Sequence, residues 1–223
     1  MRALVAFLLI ASLTGCADDI DPTAPIDATV TITATGCRNT LGRGIGTIIA
    51  PGLVLTAAHT LAGADSITID HDRRTFGADI AAFDPTMDLA LLTVDDQTLA
   101  PVPLTANPPT TGTAPGTTGT AVVRRDDRLV TLPVTIARRV NITTEDIYGN
   151  GEVVRPGYEI TADIEPGDSG ALIVIDGAGV AVIWSRSRRT DERAWAIDPI
   201  RGGDTIRTQL DNGIDAAIDI TRC

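Results

Sequence analysis

The chain has 223 residues, an apolar share of 43%, aromatic residues at only 3% and a formal net charge of −11. That length buries a substantial core, built here from Val, Ile, Leu and Ala, in one medium domain or two small barrels fused into one unit. The acidic balance argues against a nucleic-acid partner, which would need a basic face.

The N-terminus reads as an export signal. Arg2 gives a positive start, residues 3–13 form an apolar run too short to span a bilayer, and Leu13-Thr14-Gly15-Cys16 follows. That last string resembles the bacterial lipobox. The resemblance implies a lipoprotein signal peptide over 1–15 and a lipidated Cys16 as the new N-terminus. An ordinary signal peptide cut near Ala17 is the alternative. Residues 16–27, with Pro22 and Pro25, read as a polar tether. Acyl chains on Cys16 would hold the domain at a membrane, facing the periplasm or the cell exterior.

Short strands punctuated by turns come next. Strand-like runs fall near 28–35, 44–50, 53–56, 65–70, 74–83 and 89–94, with Ala50-Pro51-Gly52 and Asp84-Pro85 as turns. A stretch dense in Pro, Gly and Thr makes 105–118 a connector between an N-terminal unit, 28–104, and a C-terminal one, 119–223. Further runs lie near 119–124, 128–138, 157–162, 171–176, 179–185 and 193–198, with Asp176-Gly177 a tight hairpin signal. Ile206, Leu210, Ile214 and Ile218 recur every four residues, which predicts a closing helix over 204–218 despite Gly213. The sum is an all-β fold of two six-stranded antiparallel β-barrels with a C-terminal helix, since closure removes edge strands.

Export implies an oxidising compartment. With Cys16 lipidated, Cys37 and Cys223 remain as a pair able to bridge the two ends of the domain, for about 4–5 kcal/mol at most. Two free thiols are the alternative.

Three strings carry chemistry. His59 ends the apolar run Val54-Leu55-Thr56-Ala57-Ala58, where small residues let a base sit close to a barrel rim. Asp88 precedes Leu89-Ala90-Leu91-Leu92, which draws its carboxylate toward the core, where it needs a donor such as an imidazole N–H. Ser169 lies in Pro166-Gly167-Asp168-Ser169-Gly170, whose glycines allow a tight turn that aims the Gly167 and Ser169 amides at one point. A serine hydroxyl is a weak nucleophile until a neutral imidazole takes its proton and a carboxylate orients that imidazole. The chain has two histidines. His71, in Asp70-His71-Asp72, lacks further metal ligands at useful spacing and reads as a solvated turn. No metal or organic cofactor is implied.

The order and context of His59, Asp88 and Ser169 resemble the chymotrypsin-fold, trypsin-like serine proteases. A closer likeness, over most of residues 28–200, is to the HtrA-related periplasmic acid-resistance proteases of mycobacteria. It rests on Asp84-Pro85-Thr86-Met87-Asp88-Leu89-Ala90-Leu91-Leu92, on Asp146-Ile147-Tyr148-Gly149 and on the string from Thr161 to Gly170. The resemblance implies a cysteine pair like Cys37 and Cys223. It also implies a protein or peptide substrate and a substrate pocket with Asp163 at its floor and Ser185 and Arg186 on the opposite wall; a monomer is the expectation for the chain. Asp163 there favours basic substrate residues unless Arg186 neutralises it or blocks the pocket. Two departures stand out. Ala171 replaces a Gly common in the family and threatens to cramp the turn after Ser169. No Ile-Val-Gly-Gly start is present to pair with Asp168, which therefore needs a main-chain amide or an Arg.

The reading is thus an exported, lipid-anchored serine endopeptidase acting through an acyl-enzyme. A catalytically weak binding lipoprotein of the same fold and a serine esterase are the alternatives.

Overall fold

The computed structural model describes residues 24–37, 41–96, 98–106, 112–213, 220 and 222. Cys16, Cys223, the signal segment, Ile214 and Ile218 lie outside them. Ala24–Asp27, expected within the tether, form one helical turn, α1. His71 helps to hold it, because its Nε2 donates to the Asp27 carbonyl at 2.8 Å. His71 is therefore more than a solvated turn.

The N-terminal half is an antiparallel sheet of β1 (Thr29–Gly36), β2 (Gly42–Ala50), β3 (Leu53–Thr56), β4 (Ala64–His71), β5 (Arg74–Gly77), β6 (Asp79–Asp84) and β7 (Leu89–Thr93). Alternation sets the faces: Val30, Ile32 and Ala34 of β1 point inward and are buried. The order is β5-β4-β1-β2-β3-β7-β6. The two edge strands are consecutive halves of the expected run 74–83, divided at Ala78. The Ala78 amide still bonds the Ile67 carbonyl of β4 at 3.1 Å, and Asp79 then pairs with Thr93 of β7. The run thus leaves one side of the sheet and joins the other, so the sheet closes on itself as a six-run barrel.

The C-terminal half is a closed barrel of β8 (Thr118–Arg125), β9 (Arg128–Glu145), β10 (Glu152–Thr161), β11 (Leu172–Ile175), β12 (Ala178–Arg186) and β13 (Arg193–Ile197), ordered β10-β13-β12-β11-β8-β9. The all-β two-barrel expectation holds. β9 and β10 exceed their predicted lengths, pairing from Thr135↔Thr161 out to Glu145↔Glu152 as a two-stranded arm. The tip of this arm reaches the other half, where the Ile147 amide bonds the Pro85 carbonyl at 3.1 Å.

Each barrel has its own apolar core, and the two exchange side chains. Leu172, Val174, Val182 and Ile197 of the C-terminal half join the N-terminal core, while Ile45 of β2 enters the C-terminal one. After a short helix, α2 (Pro199–Gly202), the chain closes with α3 (Asp204–Asn212). The helix is shorter than predicted. Gly213, at φ +85°, takes a backbone conformation open to glycine and ends it. Gln209 docks α3 on β6: its buried amide accepts from the Phe83 N–H at 2.6 Å and donates to the Phe83 carbonyl at 2.9 Å.

Candidate active site

Three turns meet at the interface of the barrels. β3 ends at Thr56 and passes through Ala57 into a single 3₁₀ turn over Ala58–Thr60 that carries His59. β6 ends in the turn Asp84–Asp88 before β7. Asp84 caps that turn, its Oδ1 accepting from the Thr86 and Met87 amides at 2.9 Å each. Asp88 adopts φ +57°, a left-handed conformation costly for most residues and best tolerated by Asp and Asn. That backbone turns its carboxylate onto the 3₁₀ turn. Asp88 Oδ1 accepts from the His59 main-chain N–H and Oδ2 from His59 Nδ1, both at 2.8 Å. Asp88 is 2% exposed and the imidazole 32%, so the carboxylate is buried while the ring opens to solvent. With Nδ1–H given to Asp88, Nε2 is the nitrogen whose lone pair can take up a proton.

Ser169 comes from the other half. The loop before β11 docks on β2, with the Ser169 carbonyl accepting from the Ile45 amide at 2.8 Å. Gly170, at φ +93°, lies against the His59 segment. A Cβ there would sit 2.0 Å from the Ile45 oxygen, 2.4 Å from Thr56 Oγ1 and 3.2 Å from the Ala57 nitrogen. Only glycine permits that approach. The Ser169 turn is thereby pinned within two residues of His59 in sequence. Ala171 does not cramp it: it is buried, and its amide and carbonyl are bonded to the Asp168 carbonyl and the Ile183 amide at 3.1 and 2.9 Å.

Main-chain amides around Ser169 divide into two sets. Those of Asp168, Gly170 and Ala171 bond Glu165, Ile183 and Asp168 carbonyls. Those of Gly167, at φ +102°, and Ser169 find no acceptor among the described residues. Two free N–H groups beside a serine hydroxyl are a suitable binding place for a developing oxyanion.

Asp168 has the partners that its sequence context required, an amide and an Arg together. Its Oδ2 accepts from the Glu165 amide at 2.8 Å, and Arg125 of β8 grips both oxygens, Nη1 to Oδ1 at 2.7 Å and Nη2 to Oδ2 at 2.9 Å. Hydrogen bonding to Asp168 holds the Arg125 guanidinium above its ordinary value. The same guanidinium donates to the Asp163 carbonyl at 2.9 Å. Arg125→Met would leave a buried carboxylate uncompensated. We expect it to cost about 3 kcal/mol in urea unfolding and to slow any reaction at Ser169; wild-type stability would show that the fork is dispensable.

The expected pocket residues are only partly brought together. Asp163 and Arg186 are both exposed and, among the described residues, form no ion pair with each other, so neutralisation of Asp163 by Arg186 is not seen. Ser185 follows Trp184 on β12, where the ladder to β13 shifts register. Sequence reasoning missed Arg155 of β10 altogether. It is 1% exposed, its Nε donates to the Thr86 carbonyl at 2.7 Å, and its Nη1 lies 3.8 Å from Asp88 Oδ2. The one signal in the sequence was a lone charge between Val153-Val154 and Pro156-Gly157.

The chain is similar to known proteins in sequence and in fold. Residues 44–182 match the model of the trypsin-like peptidase domain. The serine proteases Rv3671c and MT3772 of Mycobacterium tuberculosis strains are each 33% identical over 150 residues, covering 66% of this chain. The chain spans 37% of the length of those curated relatives. The active form of the Rv3671c protease superposes with a TM-score of 0.75 at 22% identity, covering 100% of this chain and 99% of that one. The HtrA-type protease AlgW, solved as an S227A variant with a decapeptide, gives 0.71 at 18% identity, covering 86% of this chain and 66% of that one. With the family match spanning more than half its length, and a His–Asp pair and a Gly-Asp-Ser-Gly turn meeting between two barrels, this chain belongs to the trypsin-like serine peptidases.

Proposed function

We propose that the protein is an exported, lipid-anchored serine endopeptidase that cleaves peptide bonds through an acyl-enzyme. The observation that carries this reading is the buried Asp88 carboxylate bonded to His59 Nδ1 at 2.8 Å, with the Ser169 turn docked on the His59 segment through Gly170. In the proposed cycle, Ser169 Oγ attacks the scissile carbonyl while His59 Nε2 takes its proton. The amides of Gly167 and Ser169 receive the negative oxygen, a contribution of about 3–4 kcal/mol. His59 returns the proton to the departing amine, and water repeats the sequence on the ester. Asp88 orients the imidazole and stabilises the imidazolium. Substrate side chains would enter beside Asp163, Ser185 and Arg186.

Two further parts belong to this proposal. Anchoring through Cys16 is supported by the apolar run and by the Leu13-Thr14-Gly15-Cys16 string. A bridge from Cys37 to Cys223 is supported by the course of the chain near Gly63. The Gly63 carbonyl accepts from the Cys37 amide at 3.1 Å, and its amide bonds the Ile220 carbonyl at 3.0 Å, three residues before Cys223.

The test is labelling of purified residues 24–223 with a fluorophosphonate, followed by peptide mapping of the adduct. We expect one adduct, on Ser169. A folded protein that stays unlabelled would make the site a binding surface rather than a nucleophile, and an adduct elsewhere would move the nucleophile.

A further inference from the structure

Arg155 stands first by volume among the fully buried side chains, an unusual place for a guanidinium. It is held on all sides. Nε bonds the Thr86 carbonyl at 2.7 Å, and Nη2 lies 3.5 Å from the Pro85 carbonyl and 3.3 Å from that of Glu145. The guanidinium carbon sits 4.7 Å over the Trp184 ring. All these partners are neutral, so they fix the cation without cancelling its charge. The carboxylate at ion-pair distance is that of Asp88, whose Oδ2 lies 3.8 Å from Nη1. This is the oxygen that also accepts from His59 Nδ1.

We propose that Arg155 is a positioning residue which, by sharing Asp88 Oδ2 with His59, opposes a second positive charge on the imidazole and so keeps the base neutral at lower pH. The inference rests on the triad reading above. A carboxylate beside a histidine ordinarily favours the imidazolium. Here part of that field is already spent on a permanent cation, since an arginine stays charged in a protein. The Arg155–Asp88 contact is buried and the His59–Asp88 one part-buried, so both are screened less than in water. The other charged groups facing Arg155 are Asp84, at the end of β6, and Asp146, at the tip of the β9–β10 arm. Burial pushes the Arg155 guanidinium below its ordinary value against the pull of Asp88, Asp84 and Asp146. Among these groups, the guanidinium and the imidazole meet on one oxygen, which gives Arg155 its leverage over His59.

The sign follows. Reaction at Ser169 needs neutral His59, so its rate rises with pH through the imidazole titration. Removing the cation leaves Asp88 wholly to His59, favours the imidazolium and moves that rise to higher pH. The probe is the second-order rate of inactivation by a fluorophosphonate, followed from about pH 4 to about pH 9. We expect Arg155→Met to raise the midpoint by about one pH unit. Arg155→Lys, which keeps the charge, should leave it near wild type even if the plateau falls. Should Arg155→Met fail to fold by circular dichroism, Arg155→Gln is read in the same way. A lowered plateau with an unmoved midpoint in the Met or Gln variant would overturn the proposal and leave Arg155 a brace. A wild-type domain that never labels would instead remove the triad reading on which the proposal stands, a separate and recognisable outcome.

Discussion

Ser169→Ala is expected to leave the fold unchanged and to lower hydrolysis of a fluorogenic peptide library by about 10⁶-fold. The fold should survive because the loop is held by its main chain and by Asp168, not by the Ser169 hydroxyl. The Ser169 carbonyl bonds Ile45, and Arg125 clamps Asp168 from β8. The loss should be large because, in the proposed cycle, this hydroxyl forms the acyl bond. The Gly167 and Ser169 amides remain in the variant and can still polarise a carbonyl, so residual catalysis over water of about 10³–10⁴ is consistent with the mechanism. A variant that kept wild-type turnover would place the nucleophile elsewhere.

Asp88→Asn should cost about 10⁴-fold in turnover, and also some stability, because it leaves the buried Arg155 cation without the carboxylate 3.8 Å away. Asparagine tolerates the φ of +57° at this position and can still accept the His59 main-chain N–H through its side-chain oxygen. Its amide end can then only donate toward Nδ1. That forces the proton onto Nε2, the nitrogen that should accept from Ser169. The effect on turnover is chemical, and a variant that still folds by circular dichroism while turnover collapses would establish it. A loss below tenfold would mean that His59 is oriented by something other than Asp88.

The strings around His59, Asp88 and Ser169 stood out in the sequence because each depends on its own few neighbours: an apolar run ending in small residues, a carboxylate ahead of four apolar residues, and a serine in a turn with two glycines. The strand runs were legible for the same reason, down to 74–83 as one run. What escaped depends on partners remote in sequence. Arg125 meets Asp168 across 43 positions, and Arg155 meets the Thr86 carbonyl across 69. Nothing in the residues beside either Arg announces a buried acceptor. The arm of β9 and β10 was missed because a ribbon projecting from a barrel has no fully buried face. Val140, Ile142 and Thr144 alternate with exposed Asn141, Thr143 and Glu145 but are themselves only half-buried. Gln209 reads as a solvent-facing helical residue and instead completes the main chain of Phe83. The helix period carried the prediction past Gly213, where backbone conformation outweighed apolar spacing.

The approach of Gly170 to Ile45, Thr56 and Ala57 also bears on when this molecule becomes dangerous. The proposed base and its carboxylate belong to the first half of the chain and the proposed nucleophile to the second, and the contact that unites them is the seam between the halves. Neither half carries a working set by itself. A nascent or partly folded copy therefore holds its hydrolytic groups apart while its own backbone is most open to cleavage. The capacity to cut would arise with the last long-range step of folding, when the seam closes and the molecule's own peptide bonds are already shielded. In this chain the topology itself would keep the proposed hydrolytic groups apart until folding is complete.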